Sequence, residues 1–368
     1  MGIKLEYMPS EEVKCQPQSW QDKALGVVSF SDAQDHRLEG QASHSNIPEI
    51  HLNARVLSGS HLASEALLAI ESTLEMHQPL VSDSTGLIHY RCDGELLFGV
   101  INLDESSRLM NDSLGKSISD LQQATEIAYQ QIFTLIDGLG YSQVYRFWNY
   151  MADINGDGND HKDSLERYRQ FNIGRKNVFV NLGREQGEQL PAACALGLRT
   201  GPLSIAFLAG KTPAIAIENP RQVKAYHYPE QYGPLTPSFS RATLVQLRQQ
   251  LFLFISGTAS IVGHETLHIQ DIIGQTNETL INLEAVVSEA NRKLGKSSFR
   301  LSHACFRVYV RDAGDLDHIR ETIHSHFNRE VKAVFVQADI CRQELLVEIE
   351  TTLQETVAPN DRQALGTA

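Results

Sequence analysis

The stretch ISGTASIVGHETLH ends in an H-E-x-x-H motif at residues 264–268, a pattern that holds zinc when both histidines lie one helical turn apart. The motif follows a β-rich run that contains Gly257 and Gly263, so it is expected at a strand end or in the loop before a helix. No H-x-x-G-x-x-H pattern follows, and neither Glu284 nor Glu289 has the spacing of a convincing third ligand. The sequence therefore favours a zinc-free interpretation of these histidines.

A second segment with metal-site character is DINGDG at residues 153–158. It matches the first half of a calcium-binding loop, with oxygen ligands at alternate positions and a glycine at the sixth. The twelfth position is Ser164 instead of the bidentate glutamate that closes such a site. An Asn/Gly-rich turn is the better interpretation, and no metal or cofactor is predicted at either motif.

Arginine and tyrosine residues form a pattern that is more informative about substrate binding. Tyr168 and Arg175 lie two helical turns apart on one predicted helix, so both can point at one ligand. Tyr228 and Arg241 bracket a Pro-rich segment, where a packed tyrosine and a solvated arginine explain the spacing equally well. Two guanidinium groups near one cleft would suit a substrate with two carboxylates, since each can form a bidentate pair.

Near the C-terminus, the run ELLVEIE places Glu348 between two apolar residues of a β-like segment. If this side chain faces inward, desolvation raises the pKa of its carboxyl, and such an acid can donate a proton near neutral pH. The alternative is an ordinary outward-facing residue on an edge strand. Cys341 is by itself most simply a small buried hydrophobic residue.

The composition argues against several classes of partner. Lys and Arg total 32 against 45 Asp and Glu, and the resulting net charge of −13 disfavours nonspecific binding to nucleic acid or to an anionic membrane. No run approaches the ~20 apolar residues of a membrane span, and the first residues lack the apolar core of a signal peptide. The five cysteines form no C-x-x-C pair, so free thiols and a cytoplasmic location are expected.

The candidate residues fall on a pattern of elements that occurs twice. Its first copy follows the order β-β-α-β-α-β and ends in a segment with one strand more. It comprises a hairpin around an Asp-Gly turn at 86–103, a helix at 120–140, a strand at 141–154, a helix at 164–175 and two strands within 192–210. The second copy comprises paired strands at 243–262, a helix at 269–295, a strand at 306–312, a helix at 313–327 and a strand at 331–340. Helices on one face of mixed sheets, without a G-x-G-x-x-G after a strand, predict an α+β fold.

These repeats divide the chain into five predicted segments. They are a less regular N-terminal region that we interpret as an eroded third copy (1–85), a central unit (86–218), a connector (219–242), a C-terminal unit (243–352) and a tail (353–368). The connector holds four of the twelve prolines and four aromatic residues, so it is expected to be ordered and to lie over the surface of the protein.

Five ordered segments resemble the chorismatase family, whose members cleave chorismate to pyruvate and a benzoate or dihydrobenzoate. They are RFWNYMADIN, ERYRQFNIGR, NPRQVKAYHYPEQYGPLTPSFSRA, FISGTASIVGHE and QADICRQELLVEIE. The resemblance implies a monomer of RidA-like, chorismate-mutase-like units in a pseudo-threefold arrangement, similar to the trimeric RidA-type imine deaminases. The substrate-binding arginine of those deaminases would fall near Ala333, so imine deamination is not implied.

The resemblance also implies roles for individual residues. Glu348 matches the proposed catalytic acid, and the substrate-binding positions match Tyr168, Arg175, Tyr228 and Arg241. Gly257 and Cys341 match positions where members that form 3-hydroxybenzoate carry Gly and Cys and dihydrodiol-forming members carry Ala, so Cys341 is assigned a catalytic part. The implied reaction is cleavage of chorismate to pyruvate and 3-hydroxybenzoate, alone or with 4-hydroxybenzoate, with no cofactor.

Two other functions remain open from the sequence. The main alternative is a non-catalytic RidA-like protein that binds a small molecule, which release of pyruvate from chorismate would exclude. A zinc hydrolase is the third possibility, which metal analysis of the purified protein would decide.

Overall fold

The computed structural model describes residues 2–32, 46–70, 81–105, 119–157, 165–185 and 187–357. These residues form a mixed α+β fold with three main β-sheets. The N-terminal region contributes β1 (Gly2–Met8), α1 (Ser10–Val13), α2 (Gln18–Gln21), β2 (Ala24–Ser31), β3 (Glu49–Asn53), β4 (Val56–Ser58) and β5 (Ser64–Ile70). Its sheet has the strand order β1-β5-β2-β3, while β4 pairs elsewhere.

The central region forms a larger sheet that is covered on one face by two helices. Its elements are β6 (Val81–Thr85), β7 (Ile88–Cys92), β8 (Leu96–Leu103), α3 (Asp120–Gly138), β9 (Gln143–Ala152), α4 (Arg167–Asn181), β10 (Ala192–Leu198) and β11 (Leu203–Gly210). The strands lie in the order β10-β9-β11-β8-β7-β6. The Ser119 side chain caps α3 by accepting a hydrogen bond from the backbone N–H of Gln122, as expected of a serine N-cap.

The C-terminal region repeats this architecture. Its elements are β12 (Ile215–Ile217), β13 (Ala242–Leu247), β14 (Gln250–Thr258), β15 (Ile261–Val262), β16 (Glu265–Thr266), α5 (Ile272–Leu294), β17 (Cys305–Val310), α6 (Leu316–Phe327), β18 (Lys332–Gln337), β19 (Asp339–Ile340) and β20 (Val347–Thr356). The main sheet has the order β12-β13-β14-β20-β17-β18-β4, and β15 pairs with β16 in a separate small hairpin.

All three sheets contain the same arrangement of four strands. The orders are β3-β2-β5-β1 in the N-terminal sheet, β10-β9-β11-β8 in the central sheet and β18-β17-β20-β14 in the C-terminal sheet. In each of them the first two strands are parallel and the next two pairings are antiparallel. In the N-terminal unit, the short helices α1 and α2 lie between β1 and β2. The long helices α3 and α5 occupy the equivalent place in the order of elements of the other two units.

Most of the predicted elements are found, and one prediction is wrong. The helix predicted at 164–175 spans Arg167–Asn181, while the residue preceding Leu165 lies outside the described part of the chain. The single strand predicted at 331–340 is two strands in different sheets, because the chain leaves β18 after Gln337 and β19 pairs with β10 of the central sheet.

The sheets divide the chain at points that differ from the predicted segments. Strand β6 (Val81–Thr85) already belongs to the central sheet, and β12 (Ile215–Ile217) belongs to the C-terminal sheet because it pairs with β13. Strand β20 continues to Thr356, so the described part of the predicted tail is mainly strand. The remaining tail residues, 358–368, lie outside the described residues.

The core lies between the sheets and beneath the helices. Helices α3 and α4 pack on the outer face of the central sheet, and α5 and α6 on that of the C-terminal sheet. The other faces of all three sheets meet in one hydrophobic cluster. None of the helices within the described ranges is both long and apolar enough to span a lipid bilayer.

Candidate active site

A cleft of about 730 Å³ opens between the central unit, the connector and the C-terminal unit. Six of the seven residues predicted from the sequence line it, namely Tyr168, Tyr228, Arg241, Gly257, Cys341 and Glu348. The seventh, Arg175, is not among the lining residues. The cleft is therefore formed from segments that are far apart in the sequence, between Asn155, which follows β9, and Glu348 on β20.

Glu348 lies on β20, which is an interior strand of the C-terminal sheet between β14 and β17. Its side chain is 4% exposed, so the edge-strand alternative does not apply. Side chains of a strand alternate between faces, and Glu348 and Glu350 share the face that is turned toward the central unit. Among the described residues, no hydrogen bond is formed by the Glu348 carboxyl.

The two glutamates of β20 have opposite electrostatic surroundings. Burial and, to a smaller extent, the charge of Glu350 raise the pKa of Glu348 to about 8, although Arg146 acts in the opposite direction. Glu350 is also buried, but Arg146 and Arg307 lower its pKa below the ordinary value. Arg307 Nη1 donates to Glu350 Oε1 at 2.6 Å, Tyr309 donates to the same oxygen at 3.0 Å, and Arg146 donates to Oε2.

This arrangement makes Glu348 a neutral acid and Glu350 an anion near neutral pH. Environments that separate the pKa values of two neighbouring carboxyls are typical of acid–base sites. The arginine that lowers the Glu348 pKa is Arg146, which belongs to the ion network below the cleft and is not one of the predicted substrate-binding residues.

Gly257 lies in a β-bulge of β14, where the register against β20 shifts between Ile255 and Thr258. The Glu348 carboxyl occupies the space that a Cβ atom on Gly257 would need, and that Cβ would also lie 3.2 Å from the Cβ of Cys194. Bulges commonly redirect side chains beside functional sites. Gly257 is thus required for the position of the Glu348 carboxyl.

Cys341 enters the cleft directly after β19, the short strand that crosses to the central sheet. Burial raises the pKa of its thiol to about 12, and the charge of Glu348 acts in the same direction. The side chain is therefore a neutral thiol near neutral pH. It packs against both the shared core and the core beneath α3 and α4.

Tyr228 and Arg241 are in direct contact across the connector. Arg241 is 6% exposed, and its Nη2 donates to the Tyr228 hydroxyl at 2.8 Å and to the Val223 carbonyl at 3.0 Å. This contact argues against the alternative of a packed tyrosine and an unrelated solvated arginine. The connector is ordered as predicted, with short 3-10 helices at Ala225–His227 and Glu230–Tyr232.

Tyr168 and Arg175 lie on the same helix, α4, as predicted. Burial and the nearby Cys341 raise the pKa of Tyr168, so its hydroxyl is a neutral donor. Arg175 is 2% exposed, and its guanidinium lies among the rings of Tyr129, Phe147 and Phe179 at 5.3, 5.7 and 5.4 Å from their centres. Its Nε and Nη2 are buried and have no hydrogen-bond partner among the described residues.

The H-E-x-x-H motif lies in the β15–β16 hairpin and in the turn that follows it, as the β-rich context predicted. The His264 ring contacts the Tyr232 hydroxyl at 3.2 Å, and His268 lies 3.5 Å from Glu278. The DINGDG segment is a turn as far as Asp157, and its last residue lies outside the described range. No cluster of three or more His, Cys, Asp or Glu suited to a metal occurs within the described residues.

Sequence reasoning missed three arginine and glutamate residues of this site. Glu350 could have been found from its spacing, since it shares a strand face with Glu348. Arg146, 3% exposed at its side chain, and its partner Glu350 are too far apart in the sequence to be matched by spacing. Arg342 directly follows Cys341 and also lines the cleft.

A larger open cavity, of about 1110 Å³, lies where the three sheets approach one another, and its lining includes Arg55, Arg199 and Asp339. It contains none of the candidate residues. The smaller cleft is therefore the better candidate for the active site.

Comparisons with known proteins point to one family. The family model described as "Chorismatase FkbO/Hyg5-like, N-terminal" matches residues 73–209. A 3-hydroxybenzoate synthase of Streptomyces hygroscopicus is 40% identical over 238 residues, which cover 62% of this chain and 68% of that protein. A chorismatase of the same organism is 35% identical over 260 residues, which cover 69% of this chain and 70% of that protein.

The similarity extends to a solved structure. A crystal structure of a chorismatase superposes with a TM-score of 0.76 at 28% sequence identity, and the match covers 96% of this chain and 98% of that one. It therefore includes the N-terminal region that precedes the family-model match.

Proposed function

The chain belongs to the chorismatase family, and we propose that it cleaves the enol ether of chorismate to pyruvate and 3-hydroxybenzoate. The observation that carries the proposal is the Glu348 carboxyl, which is buried at the cleft and has its pKa raised to about 8. A carboxyl in this state is protonated near neutral pH and can act as a general acid.

Protonation of carbon is the step that needs such an acid. The Glu348 proton is transferred to the terminal methylene of the enol ether, the C=C electron pair forms the new C–H bond, and an oxocarbenium carbon and a glutamate anion result. A positioned acid accelerates a step of this kind by about 10²–10⁴-fold. Cleavage of the ether then releases the pyruvate unit.

The atoms of chorismate equal those of pyruvate plus 3-hydroxybenzoate. One water molecule supplies the oxygen of the pyruvate carbonyl. A second water molecule is released when the ring loses a hydroxyl group, and this loss makes the ring aromatic. If that second loss does not occur, the product is the dihydroxycyclohexadiene carboxylate and one water is consumed. Formation of some 4-hydroxybenzoate beside 3-hydroxybenzoate is also compatible with this cleft.

In this proposal, the polar lining of the cleft binds the substrate. Arg241 pairs with one substrate carboxylate, and the hydroxyls of Tyr228 and Tyr168 donate hydrogen bonds. Arg175, on the same helix as Tyr168, contributes positive charge near the cleft. Its unpartnered Nε and Nη2 can donate hydrogen bonds to a substrate carboxylate, or to a residue that binds this carboxylate. Buried charge-assisted pairs of this kind are the strong ones.

Cys341 and Gly257 determine the product in this proposal. The neutral Cys341 thiol lies beside Glu348 and can steer the intermediate or assist a proton transfer. Gly257 leaves the space in which the Glu348 carboxyl lies, and so it fixes the point from which the proton is delivered.

We further propose that the three units are RidA-like repeats in a pseudo-threefold arrangement within a monomer, with the N-terminal region as the eroded copy. The shared strand order supports this, as do the rings of Phe30, Tyr150 and Tyr309, one from the equivalent strand of each unit. Their centres lie 6.0, 6.2 and 6.5 Å apart. In addition, β4 and β19 are short strands that each pair with the edge of another unit's sheet.

The proposal is tested by incubating the purified protein with chorismate and measuring pyruvate by a coupled NADH assay and the second product by chromatography. We expect equal amounts of pyruvate and hydroxybenzoate, with 3-hydroxybenzoate as the main isomer. Binding of chorismate without any pyruvate would instead support the non-catalytic binding protein. Comparing the elution volume of the protein with its mass of 41.0 kDa tests the monomer.

A further inference from the structure

Arg342 is a cleft residue that forms no ion pair with another described residue. It lines the cleft next to Cys341, and its Nη2 is buried without a hydrogen-bond partner among the described residues. No ion pair involves Arg342 within the described part of the chain. A buried guanidinium N–H without an acceptor is unfavourable, so this atom is suited to an anionic ligand.

The rest of the guanidinium is fixed by the hairpin that contains the H-E-x-x-H motif. Arg342 Nη1 donates to the backbone carbonyl of His264 at 2.9 Å and to Thr266 Oγ1 at 3.1 Å. The Thr266 hydroxyl donates in turn to Glu344 Oε1 at 2.9 Å. The guanidinium also lies 3.9 Å from the centre of the Tyr232 ring. These contacts orient Arg342 but leave its positive charge available, because the acceptors of Nη1 are neutral.

Arg342 and Arg241 approach the same aromatic ring. The Arg342 guanidinium lies 5.3 Å from the centre of the Tyr228 ring, and Arg241 donates to the hydroxyl of that ring at 2.8 Å. Arg241 Nε also lacks a hydrogen-bond partner among the described residues. A substrate with two carboxylates requires two such groups, and Arg175 is not among the lining residues.

We infer that Arg342 binds one carboxylate of the substrate, as the second arginine of the cleft beside Arg241, and that the H-E-x-x-H hairpin serves to position it. The inference rests on the proposed function for the identity of the substrate. It gives the motif a role that involves the His264 carbonyl and the Thr266 hydroxyl and not the imidazole rings.

The first test is the affinity for 3-(carboxymethyl)benzoate, a stable aromatic dicarboxylate, measured by calorimetric titration. Arg342→Ala should weaken binding at least about 30-fold, the lower end for loss of one partner of a desolvated charge pair. Arg342→Lys should recover part of the loss, because it restores the charge without the planar fork. Arg320→Ala is the matched control, since the side chain of Arg320 on α6 is 42% exposed and pairs with Asp317.

The second test separates binding from a structural role. Thr266→Val removes one of the two acceptors of Arg342 Nη1 and should weaken binding about 3- to 10-fold. In the Arg342→Ala background the same substitution should have no further effect, because the two residues act through one contact. Thermal denaturation of each variant shows whether it is folded.

Unchanged affinity of folded Arg342→Ala overturns the inference, and so do fully additive effects of the Arg342 and Thr266 substitutions. The proposed function is tested independently by pyruvate release from the wild type. If the wild type releases no pyruvate but binds the dicarboxylate through Arg342, the proposed function fails and this inference stands. If it releases pyruvate and Arg342→Ala binds normally, only this inference fails.

Discussion

The carboxyl of Glu348 lies in the space that a side chain on Gly257 would fill. The two residues are on adjacent strands, β20 and β14, and the bulge of β14 creates this space. Gly257 has no left-handed backbone conformation, so the need for glycine here comes from packing alone.

Gly257→Ala should therefore displace the Glu348 carboxyl without straining the backbone. We expect kcat to fall by about 10²-fold or more, because a general acid that is out of position loses most of its contribution. Gly138→Ala is the control, since a Cβ there meets no atom within 4 Å. A Gly257→Ala enzyme with wild-type kcat would show that displacing the Glu348 carboxyl does not lower the catalytic rate, or that Glu348 is not the acid.

The product should depend on Cys341. Cys341→Ala leaves a space about one sulfur atom larger, which admits water beside the intermediate. We expect a shift from 3-hydroxybenzoate toward the dihydroxycyclohexadiene carboxylate, with pyruvate still released, as measured by chromatography. Cys305→Ala, where burial also raises the thiol pKa to about 12, is the control. If Cys341→Ala forms the same product as wild type, other residues of the cleft determine the product. The double variant Cys341→Ala/Gly257→Ala should in addition turn over more slowly than Cys341→Ala.

The activity should have an alkaline limit set by Glu348. Because its pKa is raised to about 8, kcat/KM should be level near neutral pH and fall above about pH 8 as the acid ionises. A profile that stays flat to about pH 9.5 would exclude this acid.

The raised pKa also predicts how stability depends on pH. Below the ordinary value of 4.5, Glu348 is protonated in both the folded and the unfolded state. Between that value and about 8, only the folded state holds the proton, so this residue's contribution to stability is lost as pH rises, by up to about 1.4 kcal/mol per pH unit. Glu348→Gln should therefore gain stability relative to wild type from about pH 5 to about pH 8. A difference that is constant with pH would contradict the assignment.

Arg241→Ala should weaken binding of a dicarboxylate by about 30-fold or more, which is the cost of losing one partner of a desolvated ion pair. Arg175→Ala should also weaken binding, but by less, because Arg175 does not line the cleft. Arg292→Ala, at an exposed arginine of α5 that pairs with Glu289, is the control. If Arg175→Ala lowers the melting temperature but leaves the affinity of the folded protein unchanged, Arg175 is a core residue and not a binding residue.

The sequence predicted those features that depend on local pattern. The period of the apolar residues predicted both repeats, and the β-rich context of HETLH correctly predicted that the motif does not lie on a helix. The direction of Glu348 could not be decided locally, because ELLVEIE fits an edge strand as well as an interior one. Its burial follows from the flanking strands β14 and β17, which come from elsewhere in the chain.

The features that the sequence did not predict depend on contacts between residues far apart in the chain. Glu350 and Arg146 are separated by 204 residues, and neither position has a local signal for this pair. The crossing of β19 to the central sheet depends on pairing with Leu196 and Gly197 and not on any change in the apolar pattern at Asp339. This crossing carries both Cys341 and Arg342 into the cleft.

The role of Glu348 as proton donor is tested by comparing pyruvate release from chorismate by the wild type and by Glu348→Gln, with Glu321→Gln on the surface of α6 as the control. The amide keeps the shape of the side chain but cannot protonate carbon. We predict that Glu348→Gln is folded, still binds an aromatic dicarboxylate, and releases pyruvate at least about 100-fold more slowly than wild type. A Glu348→Gln rate above roughly a tenth of the wild-type rate would contradict the assignment of Glu348 as the acid.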